Sequence, residues 1–232
     1  MADELDEFNN ENKIKKNNKD IIKRICFDAI FAAITYVLYA FVKFPLPIFP
    51  SFLDINISMI PVIICSFMLG PTDALILVII RCLIKWIFPG TSTAFVGELA
   101  DLLIGLSCAI TSGIIYHKTN LKHKTLYAFL SVIIMWVIMG ILTNVFINIP
   151  WYSYLYFNTN YYQDGVPLPL INMCEDAFKL ISFGNIQEIS QNNFMLYYII
   201  FAIIPFNLLL SIIVVIVTAL VHKRLKIIYD MI

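Results

Sequence analysis

The chain has 232 residues, of which 60% are hydrophobic and 14% charged, with zero formal net charge and a mean hydropathy of +0.82. Soluble domains average about 45–50% apolar and about 25% charged residues. The composition therefore excludes an ordinary water-soluble catalytic domain and favours a lipid bilayer as solvent, with no nucleic-acid partner expected.

In chain order, residues 1–20 are polar, rich in Asn, Lys and acids. They lack the apolar run of a signal peptide and read as a mobile cytoplasmic tail. Residues 21–226 read as one membrane domain. A spanning helix takes about 20 apolar residues, and spans are predicted at 21–42, 55–70, 72–88, 94–116, 125–149 and 194–221. The second and third are short, separated only by Gly70, Pro71 and Thr72. Unbroken apolar runs at 74–80 and 208–217 lack the alternation of an outer-membrane strand. The fold class predicted is an all-α integral membrane bundle of six transmembrane helices.

Basic residues set the orientation. Lys13, Lys15, Lys16, Lys19, Lys23 and Arg24 precede the first span, His117, Lys118, Lys122, His123 and Lys124 join the fourth to the fifth, and Lys223, Arg224 and Lys226 follow the sixth. All three clusters fall on one side when both termini are cytoplasmic. The longest opposite-side loop, about 150–193, carries Asp164, Glu175, Asp176 and Glu188 against Lys179, with Trp151 and several tyrosines suited to an interfacial belt. Its stretch near 169–189 reads as an interfacial helix. The protein is thus expected to be a multi-pass protein of the plasma membrane.

Arg81, Lys85, Glu98 and Asp101 lie inside predicted spans, where a charge costs about 2.5–3.5 kcal/mol and normally faces protein or water. Arg81 and Lys85 are four apart on one helix face, and Glu98 and Asp101 three apart on the next. At 1.5 Å per residue, Arg81 and Asp101 sit roughly 10 Å below the outer surface, with Lys85 and Glu98 shallower, so the geometry permits two ion pairs across these helices. Asn144 and Asn207 lie at similar or slightly greater depth. Together these residues outline either mutual neutralisation alone or a polar pocket. Three prolines make the connector 44–54 stiff and non-helical, with Phe44, Phe49 and Phe52 available to cover a flat ligand or simply to sit at the interface. Ala29 and Ala33 are spaced for close helix approach. No His lies deep in a span, which argues against an intramembrane protease, and no GxxxxGK[ST] phosphate loop is present.

Four stretches carry a family resemblance: FPLPIFPSFLDINISMIPVIICSFMLGP (44–71), VGELADLLIG (96–105), the Asn144–Tyr152 region, and IIPFNLL (203–209). From about 25 to 225 the chain resembles the riboflavin-specific S component, or RibU family, of energy-coupling factor (ECF) vitamin transporters. The resemblance implies a non-enzymatic six-helix subunit that captures riboflavin, or a related flavin such as FMN, from outside. It implies a transmembrane T subunit and two cytoplasmic ATPases as partners. These alone bind ATP, so no cofactor of the chain's own is expected. It also implies substrate contacts by Glu98, Asn144 and Asn207, to which Phe52, Phe206, Arg81, Lys85 and Asp101 are added from position, and a docking role for Ala29 and Ala33. The chain departs from the family pattern at Leu210, where Lys is usual, at Asp101, where Asn is usual, and at Asn56. An S component for another vitamin, or a small non-transport membrane protein or channel, remain the alternatives.

Overall fold

A computed structural model describes residues 2–50, 52–87, 95–182, 184 and 189–231, with the side chains of 2–17 and 230 left aside. The described chain is almost wholly helical: α1 (Ala2–Phe41), α2 (Met59–Met68), α3 (Pro71–Ile87), α4 (Val96–Lys118), α5 (Lys124–Thr143), α6 (Ile149–Phe157), α7 (Tyr161–Asp164), α8 (Leu168–Ile181), α9 (Gln191–Tyr197) and α10 (Ile204–Met231). Two three-residue strands, β1 (Lys43–Pro45) and β2 (Asp54–Asn56), pair antiparallel with Phe44 opposite Ile55. The proline-rich connector is thus a hairpin, whose prolines fall at its turn and edge, where no ladder N–H is needed.

Helices α4, α5–α6 and α9–α10 are long and apolar enough to cross a membrane. The last two are each continuous through a π-helical segment, at Asn144–Asn148 and Tyr198–Ile203. In both, an Ile one residue before a proline donates five residues back, Ile149 to Asn144 and Ile204 to Ile199. Pro150 and Pro205 can neither donate nor tolerate the carbonyl four residues behind them. Widening the preceding turn absorbs the proline without breaking the helix. This is why the fifth span runs past its predicted end at 149 to Phe157. The predicted boundaries Phe88 and Ala94, and Glu188, lie outside the described residues.

Helical backbone also covers residues 2–20, where composition predicts a mobile tail. Ala, Glu and Lys are good helix formers, and the segment extends a helix already nucleated by its apolar half. Lys23 Nζ lies 4.0 Å from the Tyr229 ring centroid, and Phe27 meets the same ring edge-on, so the membrane-proximal ends of α1 and α10 emerge side by side.

The centre of the bundle is α2, shorter than predicted because 54–56 joins the hairpin. Nine of its ten residues, Met59 to Phe67, are buried, among α1, α3, α4 and α10. Its end is set by Gly70, at φ 120°, followed by Pro71 at the start of α3, the positions where Gly and Pro suit a turn between helices. Helix α4 packs close to this turn at Gly113. A Cβ there would lie 2.6 Å from Ser66 Oγ and 2.7 Å from Pro71 Cβ. Gly113→Ala is therefore expected to destabilise the protein by about 1–3 kcal/mol, read as a lower Tm in detergent. An unchanged Tm would refute this packing argument.

Candidate functional site: a polar cavity under the hairpin

At the hairpin end of the bundle a cavity of about 130 Å³ opens above the start of α2. Its wall includes all eight residues expected to bind substrate: Phe52, Arg81, Lys85, Glu98, Asp101, Asn144, Phe206 and Asn207. They come from the hairpin and from α3, α4, the π segment after α5, and α10. Arg81, Lys85, Glu98, Asn144 and Asn207 are all buried.

The α3–α4 charges are partly arranged as their spacing predicts. Lys85 Nζ lies 3.1 Å from Glu98 Oε1, with both side chains almost fully buried. Arg81 departs from expectation. Its Nη1 donates to Ser58 Oγ at 2.6 Å, and its Nη2 to the Asp101 main-chain oxygen at 3.3 Å rather than to the carboxylate. Ser58, at the start of α2, competes successfully because α2 sits between the charged faces. The Asp101 carboxylate remains within electrostatic reach of Arg81 and Lys85. Both cations stand over the Tyr39 ring, at 4.7 and 4.2 Å, which offsets part of their desolvation. Nearer the opening, Lys43 and Asp54 approach to 3.8 Å, each about one-third exposed.

The opposite wall is amide-rich. Asn144 Oδ1 accepts from Tyr198 Oη at 2.9 Å and from Asn148 Nδ2 at 3.0 Å, while its Nδ2 donates to Gly140 O. Asn207 Nδ2 donates to Ile203 O at 2.8 Å. Asn207 reaches this wall because residue 140 is glycine: a Cβ there would stand 2.6 Å from the Asn207 amide. Tyr198 is itself fixed by stacking on Phe194 at 5.5 Å and 12°. Above the amides, Phe52 packs against Tyr152 and Tyr198, and Phe49 meets Phe206 edge-on at 5.3 Å. Phe44 is half-exposed on β1, outside the cavity wall.

Asn148, Tyr152, Trp136 and Ser58 also line the cavity and were not among the expected contacts. Asn148 carried a usable signal, since it follows Asn144 by four residues on the same span. Its Oδ1 is buried without a hydrogen-bond partner, as is Arg81 Nε. Among the described residues of the wall, these two fully buried polar atoms lack a hydrogen-bond partner within the protein, which is uncommon for buried polar groups. Ala29 and Ala33 lie elsewhere, on the exposed face of α1 beside Ile30 and Ile34. The α8 helix falls within the predicted interfacial stretch and buries Leu170, Ile171, Cys174, Ala177 and Phe178.

A family model described as the substrate-specific component of ECF transporters matches residues 23–222. The riboflavin transporter RibU of Staphylococcus aureus (strain TCH60) is 27% identical over 212 residues, covering 91% of this chain and 94% of that protein. The riboflavin transporter FmnP of Bacillus subtilis (strain 168) is 23% identical over 207 residues, 88% of this chain and 93% of that one. A solved S component of a bacterial ECF transporter superposes with a TM-score of 0.58 at 26% identity, covering 88% of this chain and 95% of its own.

The buried pair gives a direct test. Removing one partner leaves a charge stranded in low dielectric, costing about 3–5 kcal/mol, whereas removing both costs much less. Lys85→Met should therefore lower Tm sharply, and Lys85→Met with Glu98→Leu should recover most of the loss. Equal destabilisation by the single and double variants would count against the pairing.

Proposed function

The chain belongs to the substrate-specific components of ECF transporters, and within that family we propose that it captures riboflavin, or a related flavin such as FMN, from outside the cell. As a substrate-specific component its task is binding, not catalysis. In this reading residues 21–226 form a six-span domain of the plasma membrane. The termini and residues 1–20 are cytoplasmic, and the hairpin end faces outward. A T subunit and two ATPases supply the energy, and ATP binds only to them. The observation that carries the proposal is the convergence of Glu98, Asn144 and Asn207 from three helices on one cavity beneath an aromatic cover. The riboflavin-transporter relatives, matched over most of their length, support the choice of ligand.

The chemistry of the wall suits a flavin. Its tricyclic ring stacks against Phe52 and Phe206, while the uracil-like edge and ribityl hydroxyls present donors and acceptors together. Asn148 Oδ1 and Glu98 accept, and Arg81 Nε and the Asn207 amide donate. The cavity of about 130 Å³ is below the roughly 300 Å³ minimum of ordinary ligand pockets, so entry displaces Phe52 and the hairpin. The lining cations Lys43, Arg81 and Lys85 are matched by the carboxylates Asp54, Asp101 and Glu98. A neutral ligand leaves that balance intact, whereas a phosphate brings an unmatched charge wherever it lies.

Purified protein should be yellow, release riboflavin on denaturation for mass spectrometry, and quench flavin fluorescence on titration. Riboflavin is expected to bind more tightly than FMN, and Asn207→Leu or Gly140→Ala to weaken it about tenfold or more. A colourless protein that binds thiamine would sink the flavin assignment. Equal affinity for FMN would sink only the charge-matching argument.

The exposed small-residue face of α1 supplies a second test, of partner docking. Ala33→Trp should abolish riboflavin uptake by cells while leaving binding to the purified subunit unchanged. Normal uptake would remove α1 from the docking surface.

A further inference from the structure

The opposite end of the bundle carries a charge arrangement that substrate capture does not use. Tyr116, near the end of α4, stacks flat on Phe67 of α2, with centroids 4.6 Å apart and planes within 9°. One face of the tyrosine ring is thereby occupied. Lys124 Nζ, from the first turn of α5, stands 5.1 Å from the ring centroid, and Lys226 Nζ, from α10, stands 5.7 Å from it. Since Phe67 fills one face, both ammonium groups share the other.

Ring attraction favours each ammonium separately, but two like charges crowded together repel. The usual remedy is a carboxylate; in sequence Asp230 follows Lys226 by four residues, and at this end of the bundle the Asp73 carboxylate is taken by Arg24. There is no Asp or Glu between positions 102 and 163, nor between 189 and 229. Among the described residues, no acidic group forms an ion pair with Lys124 or Lys226. Exposed Lys122 and Lys223 add to the positive field.

We propose that Lys124 and Lys226, over the Tyr116 ring, form a binding site for the phosphodiester headgroup of an anionic membrane lipid. The anion supplies a counter-charge to the two lysines. The commitment to lipid rests on what adjoins the pair. Along α5 the exposed side chains include Leu126, Leu130 and Ile134, and along α10 Leu220 and Ile216, with the two helices packed together. A headgroup held by the lysines has an apolar strip beside it for its acyl chains. Basic pockets between membrane helices at the cytoplasmic side bind anionic headgroups by the same logic.

The test is native mass spectrometry of the full chain released from detergent micelles doped with phosphatidylglycerol or phosphatidylcholine. Retained adducts are expected with phosphatidylglycerol only. Lys124→Gln with Lys226→Gln should weaken phosphatidylglycerol retention about tenfold or more, while the corresponding double Arg variant should retain it. Lys179→Gln, an exposed lysine on α8 far along the chain, serves as the control. If the double Gln variant keeps its lipid as well as the control does, the proposal is overturned. Should the double Gln variant not fold, Lys226→Gln alone must still show a partial loss. Inorganic phosphate should not raise the Tm of lipid-free protein. A rise equal to that given by phosphatidylglycerol would overturn the lipid assignment in favour of a soluble anion.

Discussion

A ten-residue helix rises only about 15 Å, half the thickness of a bilayer's hydrocarbon core. Everything at the hairpin end follows from α2 being that short and lying at the centre. Buried on nearly all sides, it fills the axis of one half of the bundle and leaves the other half without a central helix. The surrounding helices cannot collapse into that volume, because they are splayed by α2 below. What remains is a space that must be lined, and its lining combines charged and amide groups with aromatic and aliphatic side chains. The first turn of α2 provides the floor through Ser58 and Met59, and the hairpin provides the roof.

Buried charge in such a space is balanced locally, because taking it out of water is costly. The Lys85–Glu98 pair is the clearest instance. Arg81 shows a second solution, dividing its donors between a hydroxyl and a main-chain carbonyl while its charge lies over a tyrosine ring. The basic end of the same molecule differs at one pair of lysines. There, Arg24 pairs with Asp73, whereas Lys124 and Lys226 converge on one tyrosine ring with no ion pair to an acidic group among the described residues.

Much of this was legible because polar residues are costly in apolar runs. Arg81, Lys85, Glu98, Asn144 and Asn207 stand out against their neighbours for that reason alone, and helical spacing places the charges on facing surfaces. Asn148 carries the same signal, one turn after Asn144 inside the predicted span; what Pro150 conceals is the continuation, since a π turn carries the helix on to Phe157. Ser58 was hidden because a small hydroxyl is unremarkable in sequence, and only the fold reveals that it intercepts Arg81. The length of α2 was misjudged because Ile55, Ile57 and Met59 are equally at home in a helix or a strand. Pairing with Lys43–Pro45 is a tertiary event that local pattern does not encode.

The two proline-linked π segments lie beside the cavity, and both are locked: Asn144 by Tyr198, Asn207 by close approach to Gly140 and by the Ile203 carbonyl. Tyr198 is held in turn by Phe194, and each of these contacts is buried. The half-solvated Lys43–Asp54 pair ties the hairpin's two strands to each other, while buried Phe49, Leu53 and Ile55 and the edge of Phe52 seat it on the wall. An exposed pair of that kind contributes about 0–1 kcal/mol, so the buried apolar side chains are what fix the hairpin in place. The widened turns belong to the rigid part of the site, setting the amides in place.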